Sequence, residues 1–453
     1  MKLISRRAIV VLILSLLLLL GFLIFIGRFM NQGSTWVIHP TNAHIYEQGR
    51  LIASGTIYDR NNNILSYMDK GIRQYNENQE IRKALMHTVG DTYGNVATGI
   101  QVTHGGRLGD WDIVNGVFKT NQRNKGKNLN LTVDADLCKT AYKALNGRKG
   151  TIGVYNYVTG EILCMVSTPT FDPNNPPDIK ANPNKYEGVY INRLLSASYV
   201  PGSVFKLVTA AAAIDHIEDY STRTFHCTGE MIIDGVAVTC PTAHGDVTLA
   251  QALAVSCNGA FAEMSLDLGG QLLQRYGEKV GFNSSLEVDG IPTGVGKIHI
   301  RDATGADLAW AGIGQYSNTA NPLNFMAFMG SIGNDGVRVT PELIKENSLL
   351  SFLNPFRHEK KRILPLETAG ILKDMMRNNV LSNYGENNYN GLNLCAKSGT
   401  AEVGGDEKPH AWFAGFLDRT DYPLAFVVVI ENGGGGSSVA GPVAAKVLQE
   451  AVK

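Results

Sequence analysis

The chain has 453 residues, enough for two or three domains, and 18% of them are charged. Its 41 Lys and Arg balance its 41 Asp and Glu, so there is no global basic field for nucleic acid and no acidic tail. No zinc-type spacing such as CxxC or HExxH occurs.

Ala8–Gly27 is a run of twenty residues without a charge, long enough to cross a hydrocarbon core as a helix. Lys2, Arg6 and Arg7 precede it and Arg28 follows, a bias that favours a cytoplasmic N-terminus. The run exceeds the roughly 7–15 apolar residues of a signal peptide, and Gly27-Arg28-Phe29-Met30 lacks a small-x-small cleavage site. The expectation is a retained single-pass anchor with the rest of the chain outside the membrane.

After the anchor, Gly, Asn, Asp and Arg interrupt short apolar stretches up to about residue 130. Ser54–Arg60, Asn61-Asn62-Asn63 and Ile64-Leu65 read as strand, turn, strand. Asp134–Leu145 has helical periodicity and stops at Asn146-Gly147. Gly150–Tyr157 and Ile162–Thr168 are apolar strands around a Val-Thr-Gly-Glu turn, a hairpin pattern. A Pro-rich loop, Pro169–Pro177, follows.

Ser203–His216 has strong helix propensity and opens after Pro201-Gly202. Thr248–Leu268 is a second helical stretch, with a break expected at Asn258-Gly259. Asn321-Pro322 opens a third, to about Ile332. Ala411–Leu417 and Leu424–Glu431 are strands, and Val439–Val452 is a terminal helix. Strands lie early and late with helices between. That order predicts an α+β fold, a mainly antiparallel sheet flanked by helices and not a βαβ alternation. The division follows: 1–30 cytoplasmic stub and transmembrane anchor, 31–148 a small β-rich membrane-proximal pedestal, 149–453 the catalytic domain.

Of six cysteines, Cys138, Cys164 and Cys395 sit in apolar periodic stretches and read as buried thiols. Cys227 and Cys240 flank a Gly-containing stretch with hairpin character and are the best disulfide candidate; a bridge and a free pair both stay open.

Three short motifs carry chemistry, each present once. Ser203-Val204-Phe205-Lys206 is an SxxK, whose i,i+3 spacing puts a hydroxyl and an amine on one helix face. The hydroxyl is a weak nucleophile, and a lysine of lowered pKa is a suitable base. A chain of this composition yields about one SxxK by chance, so the motif alone is weak. Ser256-Cys257-Asn258 is an SxN; on a continuous helix its two polar residues point about 200° apart, and a helix break is needed for both to face one cleft. Lys397-Ser398-Gly399-Thr400 is a K[ST]G after an apolar stretch, with an amine and two hydroxyls able to hold a carboxylate. Singly, each also reads as a helix cap, an exposed helix face or a turn.

In this order the motifs resemble those of the penicillin-binding proteins, specifically the monofunctional class B D,D-transpeptidases. Tyr199–Lys206 is similar to the family's nucleophile segment. Thr159-Gly160-Glu161-Ile162 through Phe171-Asp172-Pro173-Asn174 resembles the opening of its transpeptidase domain. His244-Gly245 before the SxN, and His410–Phe416 after the K[ST]G, resemble its later motif regions. Gly55–Arg60 resembles its membrane-proximal motif, with Asn62 where a glycine is usual; Asn321-Pro322 stands where Thr-Pro is common.

The resemblance implies a serine acyl-transfer enzyme. Ser203 attacks the penultimate D-Ala carbonyl of a peptidoglycan stem peptide, Lys206 takes its proton, and Ser256 serves the leaving group. Asn258 holds the substrate amide; Lys397, Ser398, Gly399 and Thr400 bind the terminal carboxylate. The N–H groups of Ser203 and Thr400 form the oxyanion hole. β-Lactams acylate Ser203 as substrate mimics. No metal, cofactor or nucleic acid is implied, and a SEDS-type membrane glycosyltransferase is the partner expected. The same residues also fit a D,D-carboxypeptidase, or a non-catalytic penicillin-binding scaffold. A class A β-lactamase is disfavoured, since no ExxLN occurs.

Overall fold

The apolar N-terminal run lies within one long helix, α1 (Lys2–Val37), of which Arg7–Phe29 is long and apolar enough to cross a membrane. Its apolar side chains are exposed all round, a surface suited to lipid. The computed structural model describes residues 2–37, 46–47, 50–51, 54–70, 72–109, 126–345 and 359–453, so parts of the expected pedestal, 110–125 among them, lie outside the described residues.

β1 (Ile57–Tyr58), β2 (Ile64–Asp69) and β3 (Ile72–Tyr75) form an antiparallel series. The turn between β1 and β2 is closed by Asp59, whose Oδ1 accepts from the N–H of Asn61 at 2.9 Å and of Asn63 at 2.7 Å. Asn62 has φ +65°. Asparagine tolerates this left-handed backbone better than most residues, so it keeps the turn that glycine would supply. Short helices Gln79–Ala84, Met86–Val89, Ile100–Thr103 and Gly105–Leu108 accompany the strands. β4 (Leu129–Leu131) joins β1 in parallel, and Ile344–Lys345, from far along the chain, completes the sheet against β4.

α2 (Ala135–Leu145) is capped by Asp134, which accepts from the N–H of Asp136 and Leu137, and ends at Asn146 in the left-handed region. β5 (Gly150–Asn156) and β6 (Ile162–Thr168) are the expected hairpin. There follow α3 (Lys206–His216), the hairpin β7 (Glu230–Ile233) and β8 (Val236–Thr239), α4 (Leu249–Ala254), α5 (Asn258–Leu268), α6 (Pro322–Gly333) and α7 (Leu366–Asn379). β9 (Leu394–Ala401), β10 (His410–Leu417), β11 (Leu424–Ile430) and α8 (Gly441–Ala451) close the chain.

The central sheet runs β9-β10-β11-β5-β6, with every pair antiparallel. Its middle strands are apolar almost throughout and do not alternate, because helices cover both faces. Neighbouring residues of β10 show this, since successive side chains leave a strand on opposite sides. Trp412 meets Phe325 of α6 edge-on at 5.7 Å, whereas Phe413 lies beneath Gly441 of α8. One continuous core runs from Ile57 of β1 to Leu448 of α8. Two ion pairs are among the polar links that join the N-terminal strands and helices to the rest. Arg60 pairs with Glu161 at 3.5 Å, and Arg82 grips Asp172 with two bonds of 2.7 Å.

Candidate active site

The SxxK begins in a 3₁₀ turn, Gly202–Phe205, that feeds directly into α3 at Lys206. A 3₁₀ helix has three residues per turn, so this entry sets Ser203 and Lys206 near one side of the segment. Gly202 has φ +56°, and a Cβ there would lie 2.6 Å from the Thr400 carbonyl oxygen. Only glycine allows both, and its absence of side chain lets the end of β9 rest against the SxxK turn. Gly399 permits the same approach, since a Cβ on it would lie 2.8 Å from Pro201 O. The segment leading in is pinned by Trp412 Nε1, which donates to Val200 O at 3.0 Å. Tyr199 donates to Glu431 at 2.7 Å, and Glu431 is itself paired with Arg193 at 2.7 Å.

The SxN lies in the turn between α4 and α5. The helix break falls at 255–257, slightly before the expected Asn258-Gly259, because Asn258 already begins α5. Ser256 adopts φ +56°, a costly conformation for a non-glycine residue and one that clusters at functional sites. The turn removes the conflict that a continuous helix would impose: Ser256 and Asn258 both reach Lys206. The Lys206 amine donates to Ser256 O at 2.6 Å, Ser256 Oγ at 3.2 Å and Asn258 Oδ1 at 2.6 Å. From the other side, Lys397 on β9 donates to Ser256 Oγ at 3.0 Å and to Ser398 O at 2.9 Å. The three motifs therefore meet at the Ser256 hydroxyl. Among the described residues, no hydrogen bond joins Ser203 Oγ to Lys206, whose three donors all turn to the SxN.

Both lysines are fully buried, and among the described residues neither has a carboxylate partner. Burial penalises the charged amine and holds Lys206 down to about 7. Lys397 lies well below the ordinary lysine range, first through burial and then through the charge of Lys206. Ser203, Ser256, Asn258 and Ser398 are only partly buried, and Thr400 is exposed, so the groups that would touch a substrate line an open face. The Asn258 amide donates one N–H to Thr239 O at 2.6 Å, which leaves its second N–H for a ligand.

Sequence reasoning missed the groups that hold these side chains. Tyr384, at the end of a π-helical turn after α7, accepts from the Ser398 N–H at 2.9 Å and shares a hydrogen bond with Ser398 Oγ at 3.0 Å. Asn383 donates to Ala254 O at 2.6 Å, at the last residue of α4. Asn379 donates to Ala396 O at 3.0 Å, and Thr400 Oγ1 accepts from the Gly436 N–H at 3.3 Å. Tyr384, Asn383, Asn379 and Gly436 stand in no motif, so no local signal marks them.

A second cluster abuts the SxN. The ligand atoms of Cys227, Cys240, His244 and Cys257 all lie within 4.8 Å of one another and form the one group of this kind among the described residues. The hairpin expected between Cys227 and Cys240 is present as β7–β8, but the two sulfurs are 3.7 Å apart and unbonded. Cys138, Cys164 and Cys395 are buried thiols, as expected.

Residues 150–449 match the penicillin binding protein transpeptidase domain family. The peptidoglycan D,D-transpeptidase PbpA of Mycolicibacterium smegmatis is 29% identical over 372 residues, 74% of each chain. Stage V sporulation protein D of Bacillus subtilis is 27% identical over 72% of this chain and 54% of its own length. Among solved structures, the ceftriaxone acyl-enzyme complex of penicillin-binding protein A from M. tuberculosis superposes with a TM-score of 0.76 at 22% identity, covering 88% of this chain and 98% of that one. Penicillin-binding protein 2 of Pseudomonas aeruginosa superposes with a TM-score of 0.73 at 24% identity, over 88% and 96%. With a match running from the first strand of the central sheet to the last helix, the chain belongs to the penicillin-binding protein transpeptidase family, in its class B branch.

Proposed function

We propose that the chain is a peptidoglycan D,D-transpeptidase that works through a Ser203 acyl-enzyme and is acylated by β-lactams. The observation that carries the residue roles is the Ser256 hydroxyl, held between two buried amines, Lys206 and Lys397, beside the nucleophile turn. Lys206 in its neutral form takes the Ser203 proton as Oγ bonds to the penultimate D-Ala carbonyl carbon. The carbonyl oxygen becomes an oxyanion and is met by the N–H groups of Ser203 and Thr400, whose backbones the Gly202 contact brings together. When the intermediate collapses, the C–N bond breaks and the proton passes through Ser256 to the departing D-Ala amine. The amine of a second stem peptide then attacks the ester, forms the cross-link and returns the proton to Ser203. Lys397, with the Ser398 and Thr400 hydroxyls, binds the terminal carboxylate, and Asn258 holds the substrate amide.

The expected division is proposed with this activity: anchor 1–30 with a cytoplasmic N-terminus, pedestal 31–148, transpeptidase domain 149–453. A SEDS-type glycosyltransferase engages the first two. The test of the site is covalent labelling. Fluorescent penicillin labels the wild-type protein and leaves Ser203→Ala unlabelled; labelling that persists in the variant overturns the assignment. Supplying an amine acceptor with a stem-peptide donor separates cross-linking from hydrolysis, and free tetrapeptide as the sole product would identify a carboxypeptidase instead.

A further inference from the structure

The two N–H groups assigned to the oxyanion, those of Ser203 and Thr400, come from different elements, the 3₁₀ turn and β9. One segment, the stretch that follows β11, is bonded to both. Glu431, its first residue, accepts the Tyr199 hydroxyl at 2.7 Å through Oε1, just upstream of Ser203. Gly436, further along the same stretch, donates its N–H to Thr400 Oγ1 at 3.3 Å. A Cβ on Gly436 would lie 2.4 Å from Gly399 O, so the stretch rests directly on β9.

Glu431 is itself fixed. Its N–H donates to Lys149 O at 2.9 Å, which prolongs the pairing of β11 with β5. Its Oε1 also accepts from Arg193 Nε at 2.7 Å. Arg193 is buried, and its Nη1 donates to Gly188 O at 2.9 Å. The loop that carries Gly188 is fastened in turn by His87, whose Nε2 lies 2.8 Å from Val189 O. On its other side, the Tyr199 N–H donates to Ala320 O at 3.0 Å, and Tyr199 O accepts from the Ala320 N–H at 2.7 Å. The Tyr199 ring meets His410 and Trp412 edge-on at 5.4 and 6.3 Å. A shielded ion pair is weak evidence for stability, because desolvation offsets the attraction; its better attested use is to fix one arrangement over the alternatives. Here the arrangement fixed is the entry to the SxxK turn.

We propose that Glu431 and Arg193 are positioning residues for acyl transfer: through Tyr199 they hold the Ser203 N–H, while Gly436 in the same stretch holds Thr400, so that both donors meet the oxyanion together. The inference rests on the acyl-enzyme reading above and adds residues that act on the reacting atoms only through Tyr199. The demand on them is tight, since a misplacement of about 1 Å caused far from the chemistry can cost roughly a hundredfold in rate. The donors stabilise charge only where it develops, so their mutual spacing matters more than either bond to the resting serine.

The test is Tyr199→Phe in the full-length protein, which removes one hydroxyl and keeps the ring against Trp412 and His410. Penicillin acylation and hydrolysis of the acyl-enzyme both pass through a tetrahedral oxyanion. Both rate constants should therefore fall by the same factor, roughly tenfold or more. The dissociation constant of the non-covalent penicillin complex and the pH midpoint of acylation should not move, because Asn258, Lys397 and Lys206 are untouched. End-point labelling should match wild type, which shows that the variant is folded. Unchanged rate constants, or a fall wholly explained by a smaller labelled fraction, overturn the proposal. Glu431→Gln breaks the same chain at another link, so adding Tyr199→Phe to it should slow acylation no further; losses that multiply overturn the shared chain. A readout without penicillin is amide hydrogen exchange, followed by mass spectrometry across Tyr199–Lys206. It should quicken in Tyr199→Phe and keep the wild-type rate in Ser203→Ala. Unchanged exchange in Tyr199→Phe overturns the positioning role and leaves the acyl-enzyme reading standing. Quickened exchange in a protein whose wild type resists penicillin supports the hold on the turn and overturns the acyl-enzyme reading instead.

Discussion

Lys206 combines complete burial with three acceptors around its amine, and burial brings its pKa to about 7. As a base it must be neutral, so the acylation rate should rise with pH through about 7 and level off above it, measured as penicillin acylation from pH 5 to 9. A flat profile would show that another group takes the Ser203 proton. The same shift acts on stability. Between the folded value near 7 and the unfolded value of about 10.4, the unfolded chain carries a proton on this lysine and the folded chain does not, so stability rises with pH across that window. Lys206→Met lacks this dependence. The difference in thermal stability between wild type and Lys206→Met should therefore move in favour of wild type from pH 6 to pH 9. At this scale the sequence picked out the motif side chains but not how they pair. The SxxK predicted a Ser203–Lys206 couple, whereas the amine is bonded to the SxN turn, because those acceptors come from a segment fifty residues away.

Single elements were legible where local physics decides them. The β5–β6 hairpin, the stop of α2 at Asn146, the Pro-Gly entry to the SxxK turn and the terminal helix follow from turn chemistry and periodicity. The SxxK segment proved to be a 3₁₀ turn leading into an α-helix, where Gly202 admits the close approach of β9. The π-helical turn after α7 was not legible, since a widened turn leaves no periodic trace, yet it places Tyr384 on Ser398. Tyr384→Phe leaves the Ser398 N–H without its buried partner. The expected outcome is a loss of about 1–2 kcal/mol in stability, read by denaturant unfolding, and a roughly tenfold fall in the second-order acylation constant. An unchanged constant would mean that Ser398 needs no such support.

Across the whole molecule, the resemblance motifs acquire physical work. Arg60 of the membrane-proximal motif meets Glu161 of the transpeptidase opening, and Asp172 receives both arms of Arg82. The Arg82–Asp172 pair is the better shielded, with side chains 12% and 6% exposed. Arg82→Ala should cost about 2–3 kcal/mol by leaving a shielded carboxylate without its partner. Arg82→Lys should recover little of it, since one ammonium cannot replace a two-armed grip. Limited proteolysis should then cut earlier between the N-terminal strands and β5, while a penicillin-labelled core persists. A variant as resistant as wild type would show that the shared apolar core alone holds these parts together.

By itself, the sequence determined the apolar N-terminal helix, the β5–β6 hairpin and the helices of the transpeptidase region. All of these depend on residues within a few positions of one another, where periodicity, caps and turns act. Only the tertiary structure decided that Ser256 is the meeting point of two amines, that Tyr384, Asn383 and Asn379 brace the motifs, and that three cysteines and a histidine converge beside them. Those contacts join residues far apart in the chain. Their geometry is set by packing around a continuous core, and nothing in their spacing along the sequence announces it.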